Sequence, residues 1–250
     1  MPTRPTSSPG EPRFSPRTLR FFRGLKRNNT RAWFERQRPV YELEVRAPLR
    51  HLVELMDVRL AAVAPEITGD PRRSIFRIHR DIRFSRDKSP YQISAGCWFY
   101  HQDAGRAVGQ DAEGGGAGFY FHLEPGRCIV AGGCWMPERS ALKRLRERLA
   151  DDWETLEKIV RAPGFRRRYG GLDQDAMLKR MPRGYAADHP AADWLRYQSF
   201  TAHRRLTDRQ VLGPALPALL ARDFAALLPL VRWLNRGLGF RPRRSRFSGL

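Results

Sequence analysis

Apolar residues recur at helical spacing in the first quarter of the chain. Ser15 followed by Pro16 is typical of an N-cap with proline in the first turn, and it predicts a short helix. Thr30 can cap a second, longer helix, in which Pro39 and Pro48 predict a break or kink. The apolar face of this second helix is Phe34, Tyr41, Val45, Leu49, Leu52, Met56 and Leu60.

The hydrophobic period changes to two from about residue 75, which is typical of β-strands. Strands are predicted at about 75–84, 92–100, 118–124 and 127–136. The turn formed by Glu124, Pro125 and Gly126 predicts that the last two strands form a hairpin. The glycine-rich segment from 105 to 118 is predicted to be a flexible loop.

Helical spacing returns after the strands. Apolar positions at intervals of three or four predict a helix that begins near Glu138, and a last helical region is predicted at about 214–238. Residues 172–212 are polar and show no clear period. Helices, then strands, then helices predict an α+β fold with a mainly antiparallel sheet of about four or more strands. The N-terminal and C-terminal helices are expected to pack on one face of this sheet.

The pattern indicates no second domain boundary. A single α+β domain is predicted over residues 14–240. Residues 1–13, rich in Pro, Ser and Thr, are predicted to be disordered, and residues 241–250 to form a basic, mobile tail.

The composition supports a globular chain with a strong positive charge. Of the 250 residues, 41% are hydrophobic and 11% aromatic, which suffices for a packed core. The formal net charge of +20 predicts attraction to polyanions such as nucleic acid or phosphorylated compounds. A coding bias toward arginine would produce the same charge without any function, so both interpretations stay open.

Several functional classes are disfavoured by missing motifs. Three cysteines, Cys97, Cys128 and Cys134, with no CxxC pair argue against a disulfide framework or structural zinc, and predict buried thiols. No apolar run could span a membrane, and the N-terminus lacks a secretory apolar core, so a cytoplasmic location is expected. Without a P-loop, GxGxxG, HExxH or GxSxG motif, neither a cofactor nor a metal site is expected.

The stretch RIHRDIRFSRDKSPY, residues 77–91, holds the candidate chemistry. If residues 75–84 form a strand, alternate side chains face the core, and Arg80 interrupts this face. A buried guanidinium requires partners, so either Arg80 binds a carboxylate or several carbonyls, or a bulge turns it outward. The structural interpretation is a tethering salt bridge. The predicted core face is Phe76, Ile78, Arg80, Ile82 and Phe84.

The other face of this predicted strand would carry Arg77, His79, Asp81 and Arg83. Two arginine forks can bind a phosphate or carboxylate, and Asp81 or His79 could act as an acid–base group. The alternative is a solvated strand face whose ion pairs contribute little.

Further polar residues extend this candidate site. Asp87 is predicted to form a turn through its side chain, which brings Lys88 and Tyr91 to the end of the strand. Tyr120 and His122 alternate with apolar neighbours and could face the same cleft. The predicted ligand-binding residues are Arg77, Arg80, Arg83, Lys88, Tyr91, Tyr120 and His122.

The stretch resembles the signature of the bacterial family called domain of unknown function 2461. Matching positions are Arg77, Arg80, Asp81, Arg83, Phe84, Asp87, Lys88 and Tyr91. The segments FFRGLKRNNTRAWFERQRPVY, AGFYFHLEPG, AGGCWMP and LKRMPRGY also look similar, so the resemblance covers about residues 14–240. It implies membership of a family without an established activity, and it locates a site without naming a reaction.

Three functions remain open from the sequence. The first is binding of an anionic small molecule or nucleic acid by the arginine cluster. The second is an enzyme that acts on an anionic small molecule, with Asp81 or His79 as the acid–base group. The third is a salt-bridged scaffold, with Glu35, Glu42 and Glu44 as carboxylate partners and nonspecific nucleic-acid binding by net charge. The sequence does not predict an oligomeric state.

Overall fold

The computed structural model describes residues 13–105 and 115–243. Nearly all of the predicted disordered N-terminal segment, most of the glycine-rich loop and most of the predicted tail lie outside these residues. The N-terminal helices are α1 (Pro16–Arg27), α2 (Arg31–Tyr41) and α3 (Ala47–Val63). Both predicted caps are confirmed, because the Ser15 and Thr30 side chains accept backbone N–H bonds in the first turns of α1 and α2.

The predicted interruption of the second helix is confirmed as a π-helical turn, Glu42–Arg46, between α2 and α3. Pro39 lies just before this turn and Pro48 just after it. Because proline has no N–H to donate, the regular hydrogen-bond ladder is weakened at these positions. The predicted apolar face of the second helix packs against the core both before and after the turn, since all seven of its residues are buried.

A five-stranded antiparallel sheet occupies the middle of the fold. Its strands are adjacent in chain order: β1 (Ile67–Thr68), β2 (Ala95–His101), β3 (Gly118–Leu123), β4 (Cys128–Cys134) and β5 (Phe200–Leu206). The predicted β3–β4 hairpin is confirmed, with Gly126 at a φ of 77° in its turn. The α+β class with a mainly antiparallel sheet is therefore confirmed.

Helices cover one face of the sheet. The remaining helices are α4 (Arg139–Arg161), α5 (Pro163–Tyr169), α6 (Ala192–Leu195), α7 (Asp208–Leu212) and α8 (Leu216–Gly237). Phe224 of α8 stacks on Phe119 of β3, with ring centroids 4.6 Å apart. Phe14, just before α1, contacts Phe121 on the same face. The three cysteines are buried and unpaired, as predicted.

Residues 75–84 do not form the predicted strand. Ile75 and His79 make only isolated antiparallel bridges, and the rest of the segment is irregular. The predicted core face is also wrong, because Phe84 is 96% exposed and Ile78 is its only buried member. Charged side chains bond the local backbone here, as when Asp81 accepts the Arg83 N–H at 3.1 Å, and such bonds compete with a regular ladder.

The sequence pattern did not predict β5, which lies in the polar region 172–212. Alternate side chains of β5 point away from the helix-covered face of the sheet, and these are Thr201, His203 and Arg205. The others point toward the helices, and one of them is the charged Arg204. Arg204 is accommodated because it donates to the buried carboxylate of Asp223 in α8, with Nε 2.8 Å from Oδ1. Because a charged residue occupies this core-facing position, the sequence of β5 does not show the alternation of apolar and polar residues that predicts a strand. In the described parts of the chain, no helix is long and apolar enough to cross a membrane.

Candidate functional site

The face of the sheet opposite α8 forms the floor of a groove of about 1530 Å³. Alternate residues of β2 to β5 point into it because side chains alternate across a sheet. Trp98, Tyr120, Ala131 and His203 lie side by side across the four strands. The described floor residues are Trp98, Tyr120, His122, Ile129, Ala131, Thr201 and His203.

One wall of the groove lies beside β2 and is rich in arginine. It comes from α2, the π-helical turn, α3 and the segment 71–81. Backbone hydrogen bonds hold this segment along β2, from the Phe76 N–H to the Gly96 carbonyl at 3.0 Å and from the Trp98 N–H to the Ser74 carbonyl at 2.9 Å. The arginines of this wall are Arg38, Arg46, Arg50, Arg72 and Arg77.

These arginines differ in their partners. Arg38 and Arg46 each bind a glutamate one helical turn away. Arg50, Arg72 and Arg77 are exposed and form no salt bridge with any described residue. An exposed guanidinium without a carboxylate keeps its full charge and its five N–H donors for a ligand. The wall is therefore electropositive.

The three glutamates that are candidate partners in a salt-bridged scaffold bind residues outside the 77–91 stretch. Glu35 pairs with Arg38, and Glu42 pairs with Arg46. Glu44 accepts a hydrogen bond from the Ser15 hydroxyl at 2.6 Å. None of the three forms a salt bridge with the 77–91 stretch in the described structure.

The opposite wall lies beside β5 and carries carboxylates. Asp173 is held there because its backbone N–H donates to the Thr201 carbonyl at 2.8 Å. Its carboxylate accepts the Thr201 hydroxyl at 2.7 Å and lies 2.7 Å from His203 Nδ1. This hydrogen bond with Asp173 raises the pKa of His203. Asp175 also lines the wall and is exposed.

Tyr120 and His122 both line the groove floor, and Arg77 and Asp81 line the wall beside β2. Tyr120 Oη lies 2.9 Å from His122 Nδ1. Burial lowers the pKa of His122 and raises the pKa of Tyr120. Nearby, the buried Trp98 Nε1 has no hydrogen-bond acceptor among the described residues. The floor therefore combines aromatic surface with polar groups that are largely shielded from water.

The first residues of the 77–91 stretch line the groove. They are Arg77, His79 and Asp81. Arg83 binds the Asp81 carboxylate through both Nε and Nη2, the latter at 2.7 Å. This side-chain hydrogen bond lowers the pKa of Asp81 to about 2. Asp81 is therefore ionised near neutral pH, and it is a weak base.

The later residues of the stretch lie outside the described lining of the groove. Arg80 binds Asp87, and Lys88 donates to the Ile82 carbonyl at 3.0 Å. Tyr91 is buried and stacks on Phe34, with ring centroids 4.2 Å apart. Arg80 therefore forms a salt bridge, but its partner is 61% exposed and lies within the same stretch, so this pair does not tether the stretch to the helices.

The predicted turn at Asp87 is also confirmed, because its carboxylate accepts the Ser89 N–H at 2.9 Å. A ligand-binding role of Arg80, Arg83, Lys88 and Tyr91 stays a prediction. Sequence reasoning missed Asp173 and His203, which lie in the polar region without a clear period.

A family model described as "Conserved hypothetical protein (DUF2461)" matches residues 17–233. The chain belongs to this family. The resemblance seen in the 77–91 stretch is thereby confirmed, and the match includes both walls and the floor of the groove. No curated protein and no solved structure was found to match the chain.

Proposed function

We propose that this DUF2461 protein binds an anionic ligand in the groove, with Arg50, Arg72 and Arg77 holding its phosphate or carboxylate groups. The observation that carries the proposal is the set of three exposed, unpaired arginines on one wall of a large concave site. The guanidinium fork matches the geometry of both anions. A concave site with a partly apolar floor and a few convergent polar groups is also the usual form of a ligand pocket.

The 77–91 stretch would serve this function in two ways. Arg77 would contact the ligand directly, since it lines the groove. Lys88 of the adjacent loop, which forms no salt bridge with a described residue, would raise the positive potential at the β2 side and steer an anion toward it. The charges of Arg80 and Arg83, in contrast, are balanced by aspartates of the same stretch.

The test is a titration of Arg77→Ala against Arg86→Ala. Both arginines are exposed and belong to the same stretch, but only Arg77 lines the groove. A thermal-shift screen with inorganic phosphate, phosphorylated compounds and carboxylates would select the probe, because a ligand at a hundred times its Kd stabilises by about 2.7 kcal/mol. Calorimetry should then show about tenfold or greater loss of affinity in Arg77→Ala, as expected for one charged hydrogen-bonding group.

Arg86→Ala should bind the same probe with nearly unchanged affinity. Equal losses in the two variants would mean that only the net charge matters, and the proposal would be wrong. Unchanged affinity in Arg77→Ala would likewise remove this residue from the site.

Catalysis on an anionic small molecule is the second candidate, and the hydrogen bond between Asp173 and His203 favours it. A histidine oriented by a carboxylate can transfer protons. The alternative base is Asp81, whose low pKa argues against it, and His79 is another candidate. If a groove ligand is turned over, Asp81→Asn should retain turnover and His203→Asn should lose it. The opposite result would favour Asp81.

A further inference from the structure

We infer that the anion taken by the groove is single-stranded nucleic acid, which rests on the proposed anion-binding function. Its phosphates would follow the arginine wall, its bases would lie across the sheet floor, and their amino groups would face the carboxylates beside β5. Size, charge distribution and floor chemistry each support one part of this arrangement.

The groove is too large and its cations are too widely spread for one phosphate group. Its volume of about 1530 Å³ exceeds the roughly 300–1,000 Å³ of pockets for small ligands. Arg38, Arg46 and Arg50 lie on one continuous helical run. At 1.5 Å of rise per residue, they span about 18 Å. Arg38 and Arg46 share their charge with glutamates one helical turn away, whereas Arg50 forms no salt bridge with a described residue. Together with Arg72 and Arg77 of the same wall, cations spread over this length match several successive phosphates better than a single anion.

The floor offers flat apolar surface beside this array. Trp135 and Phe76 also line the groove, and they are 57% and 37% exposed. Ile129 and Ala131 of β4 add apolar surface beside His122 and Tyr120 of β3. Bases stack on such surfaces whatever their sequence, because each base has a π-face. An exposed sheet face is also a known platform for single-stranded RNA.

The carboxylates beside β5 decide between a nucleic acid and a simple polyanion. Three strand spacings, about 14 Å in total, separate β2 from β5, so these carboxylates lie on the far side of the floor from the arginine wall. A receptor for polyphosphate alone would be weakened by Asp173 and Asp175 in its groove. A carboxylate does accept hydrogen bonds from an exocyclic amino group such as that of cytosine, and thymine lacks this group. In a duplex the bases stack on one another and cannot lie on the sheet floor, so the arrangement fits a single strand.

The test measures fluorescence anisotropy of labelled oligomers of about twelve residues, which is within the range of known single-strand sites. Oligo-dC, oligo-dT and an abasic oligomer carry equal phosphate charge. Oligo-dC should bind about tenfold or more tightly than the abasic oligomer, because each stacked base adds affinity. It should also bind more tightly than oligo-dT. All affinities should fall as salt rises.

Two matched double variants identify the groove. Arg50→Ala with Arg72→Ala removes two exposed, unpaired arginines of the wall. Arg36→Ala with Arg59→Ala removes the same charge from exposed positions on α2 and α3 that do not line the groove. The first pair should weaken oligo-dC binding by about tenfold or more, and the second should change it by about twofold or less.

Asp175→Asn tests the position of the bases. Asp175 is exposed and makes no side-chain hydrogen bond with a described residue, so the fold should tolerate the change. The variant should lose most of the preference for oligo-dC over oligo-dT, while its affinity for the abasic oligomer should stay the same or rise. An unchanged preference would overturn the placement of bases beside β5.

The outcomes separate this inference from the proposed function. If all three oligomers bind equally and the groove pair still weakens them, the nucleic-acid inference is wrong but anion binding stands. Stronger competition by inorganic polyphosphate than by oligo-dC would also overturn the inference and leave anion binding in place. If the two double variants lose equal affinity, both proposals fail, because net charge alone explains binding. If no oligomer binds at low salt, the inference fails, and the titration with small anions decides the proposed function separately.

Discussion

The two edges of the groove are built in different ways. Beside β2, the family stretch is irregular, and its charged side chains bond within their own loop, as Arg80 does with Asp87. Beside β5, the strand is tied to the core, because Arg204 binds Asp223, which is fully buried in α8. An edge held by local, exposed bonds can vary without unfolding the protein, whereas an edge tied to the core cannot. The charged residues of the 77–91 stretch thus lie where they contribute little to stability, whereas Tyr91 at its end is buried against Phe34.

Among the substitutions that test this difference between the two edges, Asp223→Ala should cause the largest loss of stability. The substitution leaves Arg204 and Arg168 without their buried carboxylate, and it removes an acceptor of the Tyr169 hydroxyl. Breaking a buried ion pair by removing one partner costs about 3–5 kcal/mol. Urea denaturation should show this loss as a lower midpoint.

Asp193→Ala is the matched control for that measurement. Asp193 also pairs with an arginine, Arg196, but its side chain is 86% exposed. Its removal should leave the urea midpoint nearly unchanged. If Asp223→Ala behaved like this control, β5 would not be tied to the core through Asp223, and the contrast between the two edges would disappear.

Arg80→Ala should have a smaller effect. The Arg80 side chain is only 23% exposed, but its partner Asp87 is 61% exposed. Solvent screens such a pair, so we expect a loss of about 1 kcal/mol in the same urea titration. A loss as large as that of Asp223→Ala would show that the β2 edge is also part of the cooperative core.

The smallest effects should be changes of stability with pH that arise from two histidines of the groove. Asp173 raises the pKa of His203, and burial lowers the pKa of His122, so they should titrate on opposite sides of about 6.5. His203 then contributes stability below pH about 6.5 that is lost as pH rises through its raised pKa. His122 reduces stability as pH falls below about 6.5, because the unfolded chain binds that proton more readily.

Ring-proton NMR titration would measure both values, with His203→Gln and His122→Gln for assignment. Asp173→Asn should lower the pKa of His203 and leave that of His122 unchanged. Coincident titration of the two histidines would contradict the difference in their surroundings.

Several parts of the fold could be predicted because their signals are local. A cap such as Ser15 acts within one helical turn, and the stripe from Phe34 to Leu60 repeats along one helical face. The hairpin turn could be predicted from its own residues, because Gly126 readily adopts the positive φ that the turn has. The 77–91 stretch could be recognised because its characteristic residues are close together in sequence. The turn at Asp87 could be predicted because its carboxylate binds the backbone only two residues away.

Tertiary structure alone decided the rest, because it depends on partners that are distant in sequence. The period-two pattern at 75–84 does not form a strand, because it meets β2 only through isolated contacts such as the bridge of Ile75 to Cys97. β5 forms despite Arg204, because Asp223 meets it from α8. The groove joins Arg50 of α3 with His203 of β5, and no spacing along the chain encodes that meeting. The sequence by itself determined the long helices, the hairpin and the family stretch, whereas only packing decided the short helices α5 to α7, which charges are paired and which line the groove.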